Sequence, residues 1–195
     1  MNRLIVAAAV APAVIVMSPQ ASASDREIVT AYLDALATHD LDAATDLLSD
    51  DFRMVFTDFG FEAEKGDVVT MLGWDVGTNG RFRYEFDPAP GDTLQVVLVE
   101  RNAFLDHLGL DPIEAEMGFT VSNEAIARIT YRTDSASANP DVISQALAPA
   151  VAWAREHRPG LLDEIYPNGS IRYSRWSAEQ WVQLLRDWRA SSGED

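Results

Sequence analysis

Apolar residues recur along this chain first at helical spacing and then at alternating spacing. Ile28, Tyr32, Ala35 and Leu36, flanked by Val29 and Leu33, predict one apolar helix face. Ser24 and Glu27 ahead of it have the spacing of a capping box. His39-Asp40 interrupts the face, and Asp40 is placed to cap a second short helix carrying Leu41, Ala44, Leu47 and Leu48. Residues 52–57 alternate and are rich in strand formers, predicting a first strand. A third helix fits residues 67–74, before the turn cluster Gly77-Thr78-Asn79-Gly80.

Beyond that turn the period becomes two. Residues 81–87 put Phe82, Tyr84 and Phe86 on one face, residues 88–92 read as a turn, and residues 93–102 form a strand with a strongly apolar centre. Ile113, Ala115, Met117, Phe119 and Val121 alternate with polar residues, and Asn123-Glu124 is a hairpin turn into a strand at residues 125–133. Helices first and antiparallel strands after argue an α+β fold with helices on one face of a curved antiparallel sheet. A Ser-Ala-Ser-Ala linker follows Asp134, and Asn139-Pro140 starts a helix expected to kink or break near Pro149. Ser177 and Gln180 open a last helix with Trp181, Leu184, Leu185 and Trp188 on a single face.

Charge and composition narrow the function classes. The 195 residues carry 15 Lys+Arg against 31 Asp+Glu, a formal net charge of −16. Such a surface repels phosphate backbones and anionic headgroups, so nucleic acid and membrane surfaces are not expected partners. Cysteine is absent, which removes disulfides, thiol nucleophiles and Cys-ligated zinc. Met1-Asn2-Arg3, the apolar run at residues 4–17 and the Ala21-Ser22-Ala23 exit make the three parts of a signal peptide. The run is shorter than the roughly 20 apolar residues a bilayer span needs. The expectation is cleavage after Ala23 and a secreted or periplasmic protein.

The order helix-helix-strand-helix-strands, with Ala31-Tyr32-Leu33-Asp34-Ala35-Leu36-Ala37-Thr38-His39-Asp40-Leu41-Asp42 ahead of Ser49-Asp50-Asp51, resembles the nuclear transport factor 2-like superfamily. Its SnoaL-like and ketosteroid isomerase-like members are the most similar. The resemblance covers residues 25–134, giving a domain at residues 24–134 and a C-terminal helical extension at residues 139–195 that packs on it. It implies a cone-shaped curved sheet wrapped around the N-terminal helices, open at one end, and a homodimer as a common state. In ketosteroid isomerase-like members a tyrosine of the first helix donates to the developing oxyanion, and Tyr32 falls at that place. An aspartate after the first strand is the proton-transfer base there, and Asp58 matches it approximately. Asp58 shares parity with Phe52, Met54 and Phe56, expected to line the pocket together with Trp74, Met117 and Phe119. Those isomerases carry a second acid where this chain has Met117, so steroid isomerisation is not expected and a weaker proton-transfer or cyclase-like role remains.

Each candidate also has a plain structural reading. Tyr32 is then a core aromatic, and Asp58 a turn residue accepting local amide hydrogens. Glu100-Arg101-Asn102 is either a polar rim whose Arg101 grips a ligand carboxylate or an ion-paired strand end, with Asn102 capping the next turn. No metal or cofactor is expected, since His39, His107 and His157 lack partners at metal-ligand spacing and no phosphate-cradling glycine loop is present. Two functions follow. One is an exported protein whose apolar pocket binds a small hydrophobic molecule and performs proton transfer on it. The other is a non-catalytic ligand-binding or protein-interaction module with a filled cavity.

Overall fold

The computed structural model describes residues 23–88 and 93–193. Apart from Ala23, the expected signal segment lies outside the described residues, as do residues 89–92 of the expected turn. Seven α-helices and six strands alternate in the order α1 (Ala23–Thr38), α2 (Leu41–Asp46), β1 (Leu48–Phe56), β2 (Phe61–Glu64), α3 (Lys65–Gly77), β3 (Arg81–Phe86), β4 (Leu94–Arg101), α4 (Ala103–Leu108), β5 (Ile113–Ser122), β6 (Ala125–Arg132), α5 (Pro140–His157), α6 (Pro159–Ile165) and α7 (Arg175–Ser192). The sheet is curved and unclosed, with strand order β2-β1-β6-β5-β4-β3.

The α+β class is as expected, with one refinement. β1 runs parallel to β6, and every other pair is antiparallel. β3 to β6 are antiparallel neighbours in sequence order, and their last member comes to rest beside β1, a strand from the other end of the domain. The short second strand was not anticipated. It closes a hairpin through the turn at residues 57–60, where Gly60 takes φ 67°, and it seats Phe61 on Phe56 at 4.4 Å between ring centroids. The second helix ends two residues before its predicted limit because Leu48 already pairs with Ile126.

Two apolar clusters form. The first lies inside the sheet, where Phe52, Met54, Phe56, Val96, Leu98, Met117, Phe119, Ile126 and Ile129 meet Val29, Tyr32, Leu33 and Leu36 of α1. The second lies among the helices, where Trp74 of α3 and Phe104 and Leu105 of α4 meet Leu147, Ala150, Ala154, Leu162, Ile165, Trp181, Leu184 and Leu185. Of the kink or break expected near Pro149 there is no break, and α5 continues through it. The last helix starts earlier than expected. Ser174 caps it, accepting from the Ser177 amide at 3.1 Å, while Ser177 itself is buried. Its first turn sits hard against α3: a Cβ at Gly77 would lie 2.6 Å from the Ala178 Cβ and collide with the Arg175 carbonyl.

Candidate active site in the cone

Strand parity decides which side chains enter the sheet interior. On β4, Leu94, Val96, Leu98 and Glu100 share one face. Val96 and Leu98 are buried there, so Glu100 is carried inward at the end of an apolar row. On β6, Ile129 is fully buried and Tyr131 follows on the same face, its ring 5.3 Å from that of Phe56. From α1, Tyr32 reaches in with 2% of its surface exposed, edge-on to Phe119 at 6.0 Å. From α3, Asp75 follows Val68 and Leu72 round the buried helix face.

Hydrogen bonds fix the two carboxyl-bearing elements to one another. The Thr78 hydroxyl bonds back to the carbonyls of Trp74 and Asp75, and the Thr78 carbonyl accepts from the Ala103 amide at 2.8 Å. This ties the end of α3 to the start of α4. Asn102 caps α4, its side-chain oxygen accepting from the Leu105 amide at 2.9 Å, while its amide donates to Glu100 Oε1 at 2.5 Å. Gly80 N–H donates to the Asp75 carbonyl at 2.7 Å, and the Gly80 carbonyl meets His39 Nε2 at 2.7 Å.

The electrostatics of this interior are unusual. Burial, and then the neighbouring Glu100, hold the Asp75 carboxyl well above the ordinary carboxylate range. Burial raises Glu100 too, and the Asn102 hydrogen bond pulls it part of the way back. Burial raises the Tyr32 phenol, with the Asp75 charge adding to the effect. Tyr131 is raised by burial and then by Glu100, Asp75 and Asp58. Tyr173, just ahead of α7, is 53% exposed, and its ring lies 5.0 Å from Trp74. Tyr32, Tyr131 and the two acids therefore act on one another.

Among the described residues, the hydroxyls of Tyr32, Tyr131 and Tyr173 and the carboxyl of Asp75 have no hydrogen-bond partner. Buried polar groups are overwhelmingly paired, so the Tyr32 hydroxyl, on a side chain only 2% exposed, is an exception that needs a partner. Nor are the four groups sealed: the fully enclosed unpaired atoms lie elsewhere, on Ser177, Trp181 and Arg189. Asp75, Glu100 and Tyr131 each keep partial exposure although protein surrounds them, as groups lining a recess do.

The sequence-derived candidates divide. Tyr32, Phe52, Met54, Phe56, Met117 and Phe119 are brought together inside the sheet. Trp74 joins the helical cluster instead, against Phe104 and Tyr173. Asp58 does not enter the interior. β1 ends at Phe56, so strand parity no longer governs it; it is exposed in the following turn, and its carboxylate accepts from the Thr133 amide at 2.7 Å. It lines a cavity of about 260 Å³ with Phe59, Thr133 and Pro140. Arg101 points outward and pairs with Asp106 at 2.8 Å, which also holds Arg81 at 3.0 Å. The Glu100-Arg101-Asn102 cluster thus splits by parity, its acid inside and its base outside. Asp75, Tyr131 and Tyr173 were missed. Helical spacing from Leu72 and alternation from Ile129 could have found the first two, whereas Tyr173 depends on where α7 docks. Among the described residues no group of three or more His, Asp or Glu could hold a metal ion.

The mixed, curved and unclosed six-stranded sheet packed on its N-terminal helices has the α+β form expected over residues 25–134. No protein-family model matches the chain, and no curated protein matches it in sequence. Solved structures do resemble it. One is an NTF2-like protein of unknown function from Cytophaga hutchinsonii, 14% identical over 60% of this chain and 95% of that one, TM-score 0.44. Another, provisionally described as a ketosteroid isomerase, is from Kribbella flavida: 15% identical, 62% and 85% covered, TM-score 0.47. A third is an LEH-like epoxide hydrolase from M. tuberculosis, 17% identical, 65% and 93% covered, TM-score 0.46.

Proposed function

We propose that this chain is an exported protein whose sheet-lined recess binds a small molecule with an apolar body and performs proton transfer on it. The observation that carries this reading is the buried, unpaired Tyr32 phenol together with the inward-facing acids Asp75 and Glu100, which act on each other and, through Asp75, on Tyr32. A desolvated acid pair binds protons more tightly than ordinary carboxylates do, so that one group can hold a proton while the other takes one. A buried phenol such as Tyr32 stabilises negative charge developing on a bound oxygen. The base role expected of Asp58 passes to the Asp75–Glu100 pair. Apolar residues from β1, β4 and β5 grip the rest of the ligand. The alternative of a filled, inert cavity fits poorly with accessible polar groups that nothing pairs.

The test is a thermal-shift panel of apolar ketones, alcohols and amines against residues 24–195, followed by solvent deuterium uptake into any compound that binds. At least one compound is expected to raise the melting temperature and exchange a proton. Asp75→Asn is expected to slow that exchange about 10²–10⁴-fold, the usual contribution of a general acid–base group. A panel in which no compound raises the melting temperature overturns the reading.

A further inference from the structure

The sheet ends in two outer strands, and they differ. With strand order β2-β1-β6-β5-β4-β3, these are β2 and β3. β2 is four residues long, and one face carries Glu62 and Glu64, a single sign of charge. β3 is six residues long, and its exposed face runs Arg81, Arg83, Glu85, with Asp87 next in line. Charges on an edge strand discourage pairing with another chain. Two cations followed by two anions do the opposite when the strand meets its own antiparallel copy, because the copy presents anions where the first strand has cations.

The main chain of β3 has the matching phase. Residues of an antiparallel pair alternate between exchanging both main-chain hydrogen bonds and exchanging none. Arg81, Arg83 and Glu85 stand opposite Arg101, Val99 and Val97 of β4, and one step further the Asp87 amide donates to the Gln95 carbonyl at 2.9 Å. That phase turns the main-chain groups of Arg81, Arg83 and Glu85 toward β4, and those of Phe82, Tyr84 and Phe86 toward the open edge. Among the described residues nothing engages those edge groups. Helix α1 meets β3 through side chains on the inner face, where the Tyr84 hydroxyl donates to Asp34 at 2.7 Å and Arg26 lies 3.9 Å over the Phe86 ring.

We propose that β3 pairs antiparallel with β3 of a second copy of this chain about a two-fold axis at Tyr84, joining the two sheets into one. Phase and charge together select this register. The phase allows centring on Arg83, Tyr84 or Glu85. Centring on Arg83 sets that guanidinium against its own copy, and centring on Glu85 does the same with carboxylates; like charges directly opposite destabilise a strand pair. Centring on Tyr84 sets each Arg83 against a Glu85, Phe82 against Phe86, and Arg81 against Asp87. Arg83 and Glu85 are exposed, and neither has an ion-pair or hydrogen-bond partner among the described residues. Arg81 is already held by Asp106 at 3.0 Å, so the central pairs carry the selection. The contact is isologous and closes at two copies.

Sedimentation velocity of residues 24–195 over a dilution series reaching about 0.5 mM, in about 0.15 M salt, tests this. The parent is expected to dimerise reversibly and weakly, since an edge contact is small. Arg83→Glu and Glu85→Arg each set like charges opposite at both symmetry-related positions, and each should raise the dimer dissociation constant at least about ten-fold. Mixed in equal amounts, or combined in one chain, the two substitutions should restore association, because the charges are then complementary again. Far-UV circular dichroism checks that each variant folds, and the combined variant decides the matter where a single one does not. A parent that stays monomeric to the top of the series overturns the proposal. So does a dimer that neither substitution weakens, which would assemble through another face. Loss of association that neither the mixture nor the combined variant restores overturns the register and the proposal with it.

Discussion

Both interiors of this protein hold polar atoms without hydrogen-bond partners, but under different conditions. Among the helices the unpaired atoms are Ser177 Oγ, Trp181 Nε1 and Arg189 Nε, each shut off from solvent. Trp181 is completely buried between Phe104 and Tyr166, with ring centroids 6.1 and 5.6 Å away. Inside the sheet the unpaired groups are Asp75 and the phenols of Tyr32 and Tyr131, and Asp75, Glu100 and Tyr131 keep partial exposure. A sealed unpaired donor is a pure loss, offset only by the apolar area buried round it. An accessible one has a partner to gain. Packing therefore governs the helical core and occupancy governs the sheet interior, so the two should respond to opposite kinds of substitution.

The largest expected effect is on the packed side. Trp181→Ala removes a fully buried indole from contact with Phe104, Tyr166 and the α5 residues, and should cost about 3–5 kcal/mol. Urea unfolding followed by far-UV circular dichroism reads it directly. A loss under about 1 kcal/mol would mean that the helical cluster is not a cooperative core, and the contrast between the two interiors would fail.

How legible this arrangement was in the sequence follows the same division. Alternation at residues 113–122 and helical spacing at residues 28–36 gave correct elements, because one face of each is buried and the other wet. They also placed Tyr32, Phe52, Met54, Phe56, Met117 and Phe119 inside. The continuous apolar run through Val97 and Val99 hid the parity of β4, so Glu100 was not separated from Arg101. Asp58 was carried inward by extending alternation past a strand that stops at Phe56. α5 passes Pro149 because the exposed proline lies on the wet side of an amphipathic helix whose buried residues, Leu147, Ala150, Val151 and Ala154, hold it in place. Tyr173 could not be read at all. Its position depends on the seating of Arg175 and Ala178 against Gly77, a contact about a hundred residues long in sequence.

The occupancy side should behave in reverse, gaining stability when its polar groups are removed. Asp75 and Glu100 both have folded-state pKa values above their ordinary ones, so the folded protein holds protons that the unfolded chain releases. Stability from this pair is therefore highest below the ordinary carboxylate range, near pH 4, and falls as pH rises toward the raised values. Asp75→Asn removes that fall. The variant should exceed the parent by about 1–3 kcal/mol at pH 8, the desolvation cost of one unpaired polar group, with the margin closing toward pH 4. The remaining surface carboxylates titrate alike in both proteins and cancel in the difference. A margin that widens on acidification would show Asp75 to be ionised and paired in the folded state.

Arg101→Ala should have the smallest effect, and it tests whether the boundary of the site is drawn in the right place. The Arg101 side chain is 57% exposed, and its partner Asp106 keeps a second cation in Arg81. Exposed pairs of this kind contribute about 0–1 kcal/mol, and here Arg81 takes over part of the carboxylate, so the melting temperature should barely move. Ligand affinity should not move either, since the guanidinium lies on the opposite face of β4 from Glu100. A substantial loss of binding in Arg101→Ala would bring the rim into the site after all. Arg101 would then offer its guanidinium to a ligand carboxylate at the rim.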